Sequence, residues 1–212
     1  MRIFLLALCL SYTLFGFSQE RKDIGLLAGT SYYLGDYNPG TQFYQPSPLF
    51  SILGKYNFND FYTLRLSASY GWLKGSPKSD AVYNPISTEP FSKQLLALEL
   101  DGEINFMSFD SRQHEKQNFS PYLLLGIGVA YEGSSLFPHI PIGFGVKYSP
   151  RGRFTFGGEW RLHKTFNDNI DGHVNITDIR KSFIHNNDWF GIAGLFVTYR
   201  LENSSELCPT YR

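Results

Sequence analysis

In YTLRLSASYGWLK (62–74), Tyr62, Leu64, Leu66, Ala68, Tyr70 and Trp72 fall on one side of an extended chain, and Thr63, Arg65, Ser67, Ser69 and Gly71 on the other. Side chains alternate across a β-strand, so apolar residues at every second position predict a strand with one greasy face. The pattern recurs in DIGLLAGTSYYLG (23–35), FSILGKYNF (50–58), LLALELDGEINFM (95–107), PYLLLGIGVAYE (121–132), IPIGFGVKY (140–148) and FTFGGEWRLHKTF (154–166). An eighth segment, DWFGIAGLFVTYRL (188–201), is apolar on both faces. A register with Trp189, Ala193, Leu195, Val197 and Tyr199 outside leaves Thr198 and Arg200 inside. A tilted membrane-spanning strand takes about 9–11 residues, whereas strands of soluble sheets centre on about 5–6. The length of these segments therefore favours a transmembrane barrel.

Which face meets lipid follows from composition. The polar face is mostly Gly, Ser, Thr and Asn with charges of both signs, and small residues suit the cramped interior of an eight-stranded barrel. The apolar face carries Tyr62, Trp72, Phe106, Tyr131, Tyr148 and Trp160 near segment ends, where interfacial girdles form. Charged residues are only 18% of the 212 residues and aromatics 17%, with 20 glycines. The connections, about 36–49, 59–61, 75–94, 108–120, 133–139, 149–153 and 167–187, tend to alternate long and short, as extracellular loops and periplasmic turns do. The fourth is long for a turn and the fifth short for a loop. The expectation is an eight-stranded antiparallel up-and-down transmembrane β-barrel over 22–201.

MRIFLLALCLSYTLFGFSQE has a basic start, a short apolar run and small residues at Gly16 and Ser18. It reads as a signal peptide over 1–18, cut ahead of Gln19. Cys9 follows Leu8 where a lipoprotein signal wants a small residue, and the run is too short and too often interrupted for a membrane helix. An even strand count puts both termini in the periplasm of an outer-membrane protein. The polar tail LENSSELCPTYR leaves residues 202–212 there, with Cys208 as the one thiol of the processed chain. An odd cysteine in an oxidising compartment suggests an intermolecular bond or a free thiol.

The inner face should carry Arg65, Glu99, Asp101, Glu103, Lys147, Glu159, Arg161 and Arg200. Isolated buried charges are costly, so these should pair across neighbouring strands, Arg65 with the acidic row 99–103. We read Arg65, Glu99, Asp101, Glu103, Glu159 and Arg161 as a structural charge plug in preference to general acid–base machinery. Among His114, His139, His163, His173 and His185, only His163 lies well inside a predicted strand. None has helical ligand spacing with a third ligand, and no thiol pair accompanies them, so no metal is expected. A Gly-x-Ser-x-Gly elbow is missing, as is a phosphate-binding glycine loop; the glycines of GIGVAYEG relieve crowding in the lumen. With zero net charge and no basic run, no nucleic-acid partner is expected. Neither a cofactor nor a small-molecule substrate is expected either.

SYYLGDYNPG (31–40), GKYNFND (54–60), RLSASYGWLKG (65–75), SPYLLLGIGVA (120–130), IPIGFGVKY (140–148) and GEWRLHKTFNDNIDG (158–172) stand in this order. Together they resemble the PorG-like outer-membrane proteins of the Bacteroidota type IX secretion system, over about residues 22–200. YYLGDYNP and EWRLHKTFNDNIDG are the most specific stretches, and the fifth connection is shorter than in that family. The resemblance implies a non-enzymatic component that associates with a periplasmic ring of a lipoprotein and its partner, needed for cargo export and, in some members, gliding. Cys208, Pro209 and Tyr211 of the tail are then candidate contacts to the ring, with a frayed, idle terminus as the alternative. Two further readings are a small barrel enzyme acting on lipid or peptide and an adhesin working through its external loops.

Overall fold

A computed structural model describes residues 22–34, 41–75, 90–109, 118–133, 135–150, 153–166 and 189–201. Residues 1–18, expected to be a signal peptide, the tail with Cys208, Pro209 and Tyr211, and most of the long connections lie outside the described residues. Eight strands run β1 (Lys22–Leu34), β2 (Ser47–Asn57), β3 (Tyr62–Gly75), β4 (Phe91–Asn105), β5 (Phe119–Glu132), β6 (Ser135–Tyr148), β7 (Phe154–Thr165) and β8 (Trp189–Leu201). Each pairs antiparallel with the next, and β1 pairs with β8, closing the barrel. Closure removes the open edges that a membrane does not tolerate. Lys22 stands opposite Leu201, so β1 starts and β8 ends side by side at one end of the barrel.

The alternation holds along the walls. Ile52, Leu125, Ile127 and Leu195 are each at least 60% exposed on the outer face, while Ser51, Arg65, Glu99, Glu103 and Thr198 on the other parity are buried. The last strand takes the register with Leu195 outside and Thr198 and Arg200 inside. At the end where the described termini lie, Phe58, Phe61, Tyr62, Phe106, Phe119, Tyr148 and Phe154 stand exposed as a girdle, partly paired edge-on, as in Phe154 with Tyr199. Beyond this girdle the outer wall stays largely apolar, with Phe50 and Phe144 among its aliphatic residues, as lipid requires.

Several strands start earlier than the sequence predicts, β4 and β6 by the most. β4 begins at Phe91 because Ser92, Lys93 and Gln94 still pair with Lys74, Leu73 and Trp72, although FSKQ carries no apolar alternation. β6 begins at Ser135 and runs through Pro138 and Pro141, opposite Val129 and His163 respectively. Proline lacks the N–H that a ladder uses, so it reads in sequence as a break. The fifth connection shrinks accordingly to 133–134.

The lumen also differs from a uniformly polar one. Leu27, Leu49, Leu53, Leu73, Leu95, Leu124, Phe137, Phe190, Ile192 and Phe196 are buried inside, in one cluster with Tyr33, Ala97, Tyr122 and Ala130. Most of them sit toward the strand ends away from the termini. These are inner-face positions in runs such as LLA and LLLG, where both parities are apolar and alternation is silent.

Candidate functional site: the charged lumen

The inner charges form two linked groups. Arg65 on β3 stands opposite Asp101 on β4. Its Nε donates to Asp101 Oδ2 at 3.2 Å, and its Nη1 reaches across the lumen to Glu159 Oε2 at 2.6 Å and lies 3.4 Å from Glu103 Oε1. Glu103 also takes Lys55 at 2.7 Å and Lys147 at 3.3 Å. Tyr122 donates its hydroxyl to Glu159 Oε2 at 2.7 Å, and Arg161 Nε lies 3.0 Å from Glu159 Oε1.

Glu99 anchors the second group. It does not meet Arg65. Arg161 Nη1 donates to its Oε2, as does Ser67 Oγ at 3.0 Å. Its Oε1 faces Nε2 of His139 at 3.1 Å and Nε2 of His163 at 2.9 Å. His163 stacks flat on Phe190, with ring centroids 4.2 Å apart and planes 3° apart, and its Nδ1 lies 3.2 Å from the Phe190 carbonyl. Gly128 makes this convergence possible. It is the register partner of both Glu99 and His139, and a Cβ there would stand 2.5 Å from His139 Nε2.

The six residues of the predicted plug are therefore all buried inside, with Arg65 and Arg161 fully sequestered. Three features escaped the sequence. Lys55 is a partner of Glu103. His139 is a lumenal residue, hidden by the misplaced start of β6. Asp23 and Arg200, 177 residues apart, close the barrel seam with an Nε–Oδ1 contact of 3.1 Å. The register of β1 against β8 was the only signal for that pair, and the both-faces-apolar last strand obscured it.

On the outer wall, Tyr32 is fully buried although its neighbours of the same parity face outward. Its ring lies over Gly191, where a Cβ would collide with it. Trp160 Nε1 donates to its hydroxyl at 2.6 Å, the hydroxyl donates to Gln42 Oε1 at 2.7 Å, and Phe43 covers the ring at 4.8 Å. Tyr32 thus bridges β8 to reach β7.

A closed barrel of this strand number, with a greasy wall and a filled centre, has one natural solvent. A family model described as "Domain of unknown function (DUF6089)" matches residues 1–210. The chain belongs to the DUF6089 family. No curated protein matches it. Among solved structures, this DUF6089 protein is similar to the Neisserial surface protein A, with a TM-score of 0.53 and 15% identity over 87% of this chain and 100% of that one. It is also similar to Ail, the attachment invasion locus protein of Yersinia pestis, solved with the heparin analogue sucrose octasulfate, with a TM-score of 0.50 and 13% identity over 87% and 100%. At such identities the likeness is one of fold, and the fold is the eight-stranded outer-membrane barrel.

Proposed function

We propose that this protein is a non-enzymatic outer-membrane component of a type IX secretion machinery that anchors or organises the periplasmic ring built by a lipoprotein and its partner. The observation that carries the reading is the meeting of its two most specific motif stretches. Tyr32 of YYLGDYNP and Trp160 of EWRLHKTFNDNIDG are 128 positions apart and hydrogen-bond at 2.6 Å on the outer wall. Glu159, Arg161 and His163 of the second stretch face inward into the charged lumen. The stretches that carry the resemblance thus act together in building one barrel.

A lumen packed with ion pairs and leucines offers no passage to an exported chain, so in this reading the barrel works through its surfaces. Both termini lie in the periplasm, and residues 202–212 with Cys208, Pro209 and Tyr211 reach the ring. The test is affinity purification of the full chain from outer membranes, beside a version lacking 202–212. Ring lipoprotein retained by the full chain and lost from the truncated one supports the reading. Absence of ring proteins from both, with secretion intact in a deletion strain, overturns it in favour of an adhesin or enzyme. Non-reducing gels of Cys208→Ser decide whether the attachment is a disulfide: an unchanged crosslinked species removes that part.

A further inference from the structure

The charge network leaves one contact unexplained. His163 Nδ1 faces the Phe190 carbonyl, which can only accept, so Nδ1 carries a proton and Nε2 is the nitrogen left to turn toward an ion. Its Nε2 lies 2.9 Å from Glu99 Oε1, yet the two are not aligned as a hydrogen bond. Contacts that close without a hydrogen bond are what neighbouring ligands of one ion make, because each points at the ion and not at the other. His139 brings a second imidazole nitrogen to the same oxygen. In that contact Nε2 donates to the carboxylate, and Nδ1, which has no hydrogen-bond partner among the described residues, can take the ring proton when Nε2 binds an ion.

We propose that Glu99, His139 and His163 bind a divalent transition metal of the zinc class inside the barrel. Ligand atoms of the three lie within 4.8 Å of one another, and all three residues are buried. Two imidazoles and one carboxylate are a donor set that zinc accepts, at about 2.0–2.2 Å from each ligand. The two edges at Glu99 Oε1, 2.9 and 3.1 Å, already bring each imidazole nitrogen close enough for one ion to reach both atoms.

The surroundings are built for the task. A metal-bound histidine usually donates its other ring N–H to a carbonyl or carboxylate, which fixes its tautomer and orientation. The carbonyl of Phe190 does this for His163, and the Phe190 ring stacks on the imidazole. Arg161 and Ser67 hold Glu99 by Oε2 and leave Oε1 for the ion. Arg161 is the charged group nearest this carboxylate, and its other face is engaged by Glu159, so its charge is already shared between two carboxylates. Gly128 keeps the space between Glu99 and His139 empty of side chain. The ion would fasten β4, β6 and β7 to one another from within. Three protein ligands leave a fourth position for water.

The test uses the full processed chain folded in detergent, stripped with chelator, and given Zn²⁺ or Co²⁺ alone. The expected results are metal equimolar with protein after washing, the visible absorption bands of four-coordinate Co²⁺ bound by nitrogen and oxygen, and a higher unfolding temperature with Zn²⁺. His139→Gln and His163→Gln should each lose the equimolar metal while keeping the heat-modifiable migration of a folded barrel. A variant with His114, His173 and His185 all changed to Ala should keep it. Should the single variants fail to fold, the cobalt spectrum and metal content of the unaltered chain still decide. Folded protein that holds no equimolar metal, or a His163 ring protonated on both nitrogens by ¹⁵N NMR, overturns the proposal. So does retention of full metal by folded His163→Gln, or its loss from the triple variant.

Discussion

The two halves of the lumen are filled by opposite means. Toward the chain termini, Lys55, Arg65, Glu103 and Lys147 interlock as ions. Toward the other end, Leu49, Leu73, Leu95, Phe137 and Phe190 pack as a hydrocarbon layer, with the Lys93–Glu132 pair at the rim. β4 belongs to both, turning Leu95 and Ala97 inward in one half and Glu99, Asp101 and Glu103 in the other. The difference teaches where specificity and where plain stability come from. Hydrocarbon tolerates exchange if volume is kept, whereas each ion is stable only while its own partner is present. The hydrocarbon layer also shuts water out from one side and so strengthens the ion pairs beyond it.

The largest expected effect breaks the ionic half. Arg65→Met keeps bulk but leaves Asp101, Glu103 and Glu159 without the guanidinium that joins them. Removing one partner of a buried ion pair costs about 3–5 kcal/mol. Urea unfolding of the folded barrel in detergent should show that loss. A cost below about 1 kcal/mol, the range of exposed pairs, would mean that water reaches the site. Next comes the hydrocarbon half. Leu95→Ala should cost about 2–5 kcal/mol by the same titration, through a cavity that stays dry. Leu95→Met, close in volume, should cost under about 1.5 kcal/mol. If both substitutions are equally harmful, the layer is not the tolerant packing described.

The outer wall gives a third comparison, by depth. Leu125→Arg places a charge on the middle of β5 facing outward, where the side chain is 60% exposed. At the bilayer midplane that costs about 2–4 kcal/mol, falling to about 0–1 near the interface. Phe119→Arg, at the girdle end of the same strand, should therefore be the milder of the two when both are measured in lipid vesicles. Equal costs would contradict a membrane spanning β5 from girdle to girdle.

These expectations also mark what the sequence made legible. Parity could be read wherever one face was polar: Arg65, Glu99, Asp101, Glu103, Glu159 and Arg161 needed only the period of two. Closure was legible from segment length and the alternating connections. The partner of each charge was not. Arg65 meets Glu159 and Glu99 meets Arg161 across the lumen, and such pairs depend on barrel stagger, which no single strand encodes. His139 was hidden by two prolines that a closed barrel accommodates in mid-strand. The hydrocarbon half was hidden because leucines on both faces carry no period, and Tyr32 because its cover comes from residues 42 and 43 and from Trp160 on another strand.

The smallest effect belongs to the exposed side chain of Asn59 in the turn that joins β2 to β3. Asn59 Oδ1 accepts from the backbone N–H groups of Phe61 and Tyr62, both at 2.8 Å, so the side chain itself shapes the turn, as asparagine does where the chain reverses. The contacts are exposed, and water can replace them when they are lost. Asn59→Ala should therefore cost about 1 kcal/mol, the net worth of ordinary hydrogen bonds, and slightly shift the urea midpoint without changing its slope. Asn59→Gly should cost about the same, since it also removes the acceptor. A loss as large as that of Arg65→Met would mean that this turn, and not the interlocked lumen, carries the stability of the β2–β3 hairpin, and the contrast between the two halves would then no longer account for what holds the barrel shut.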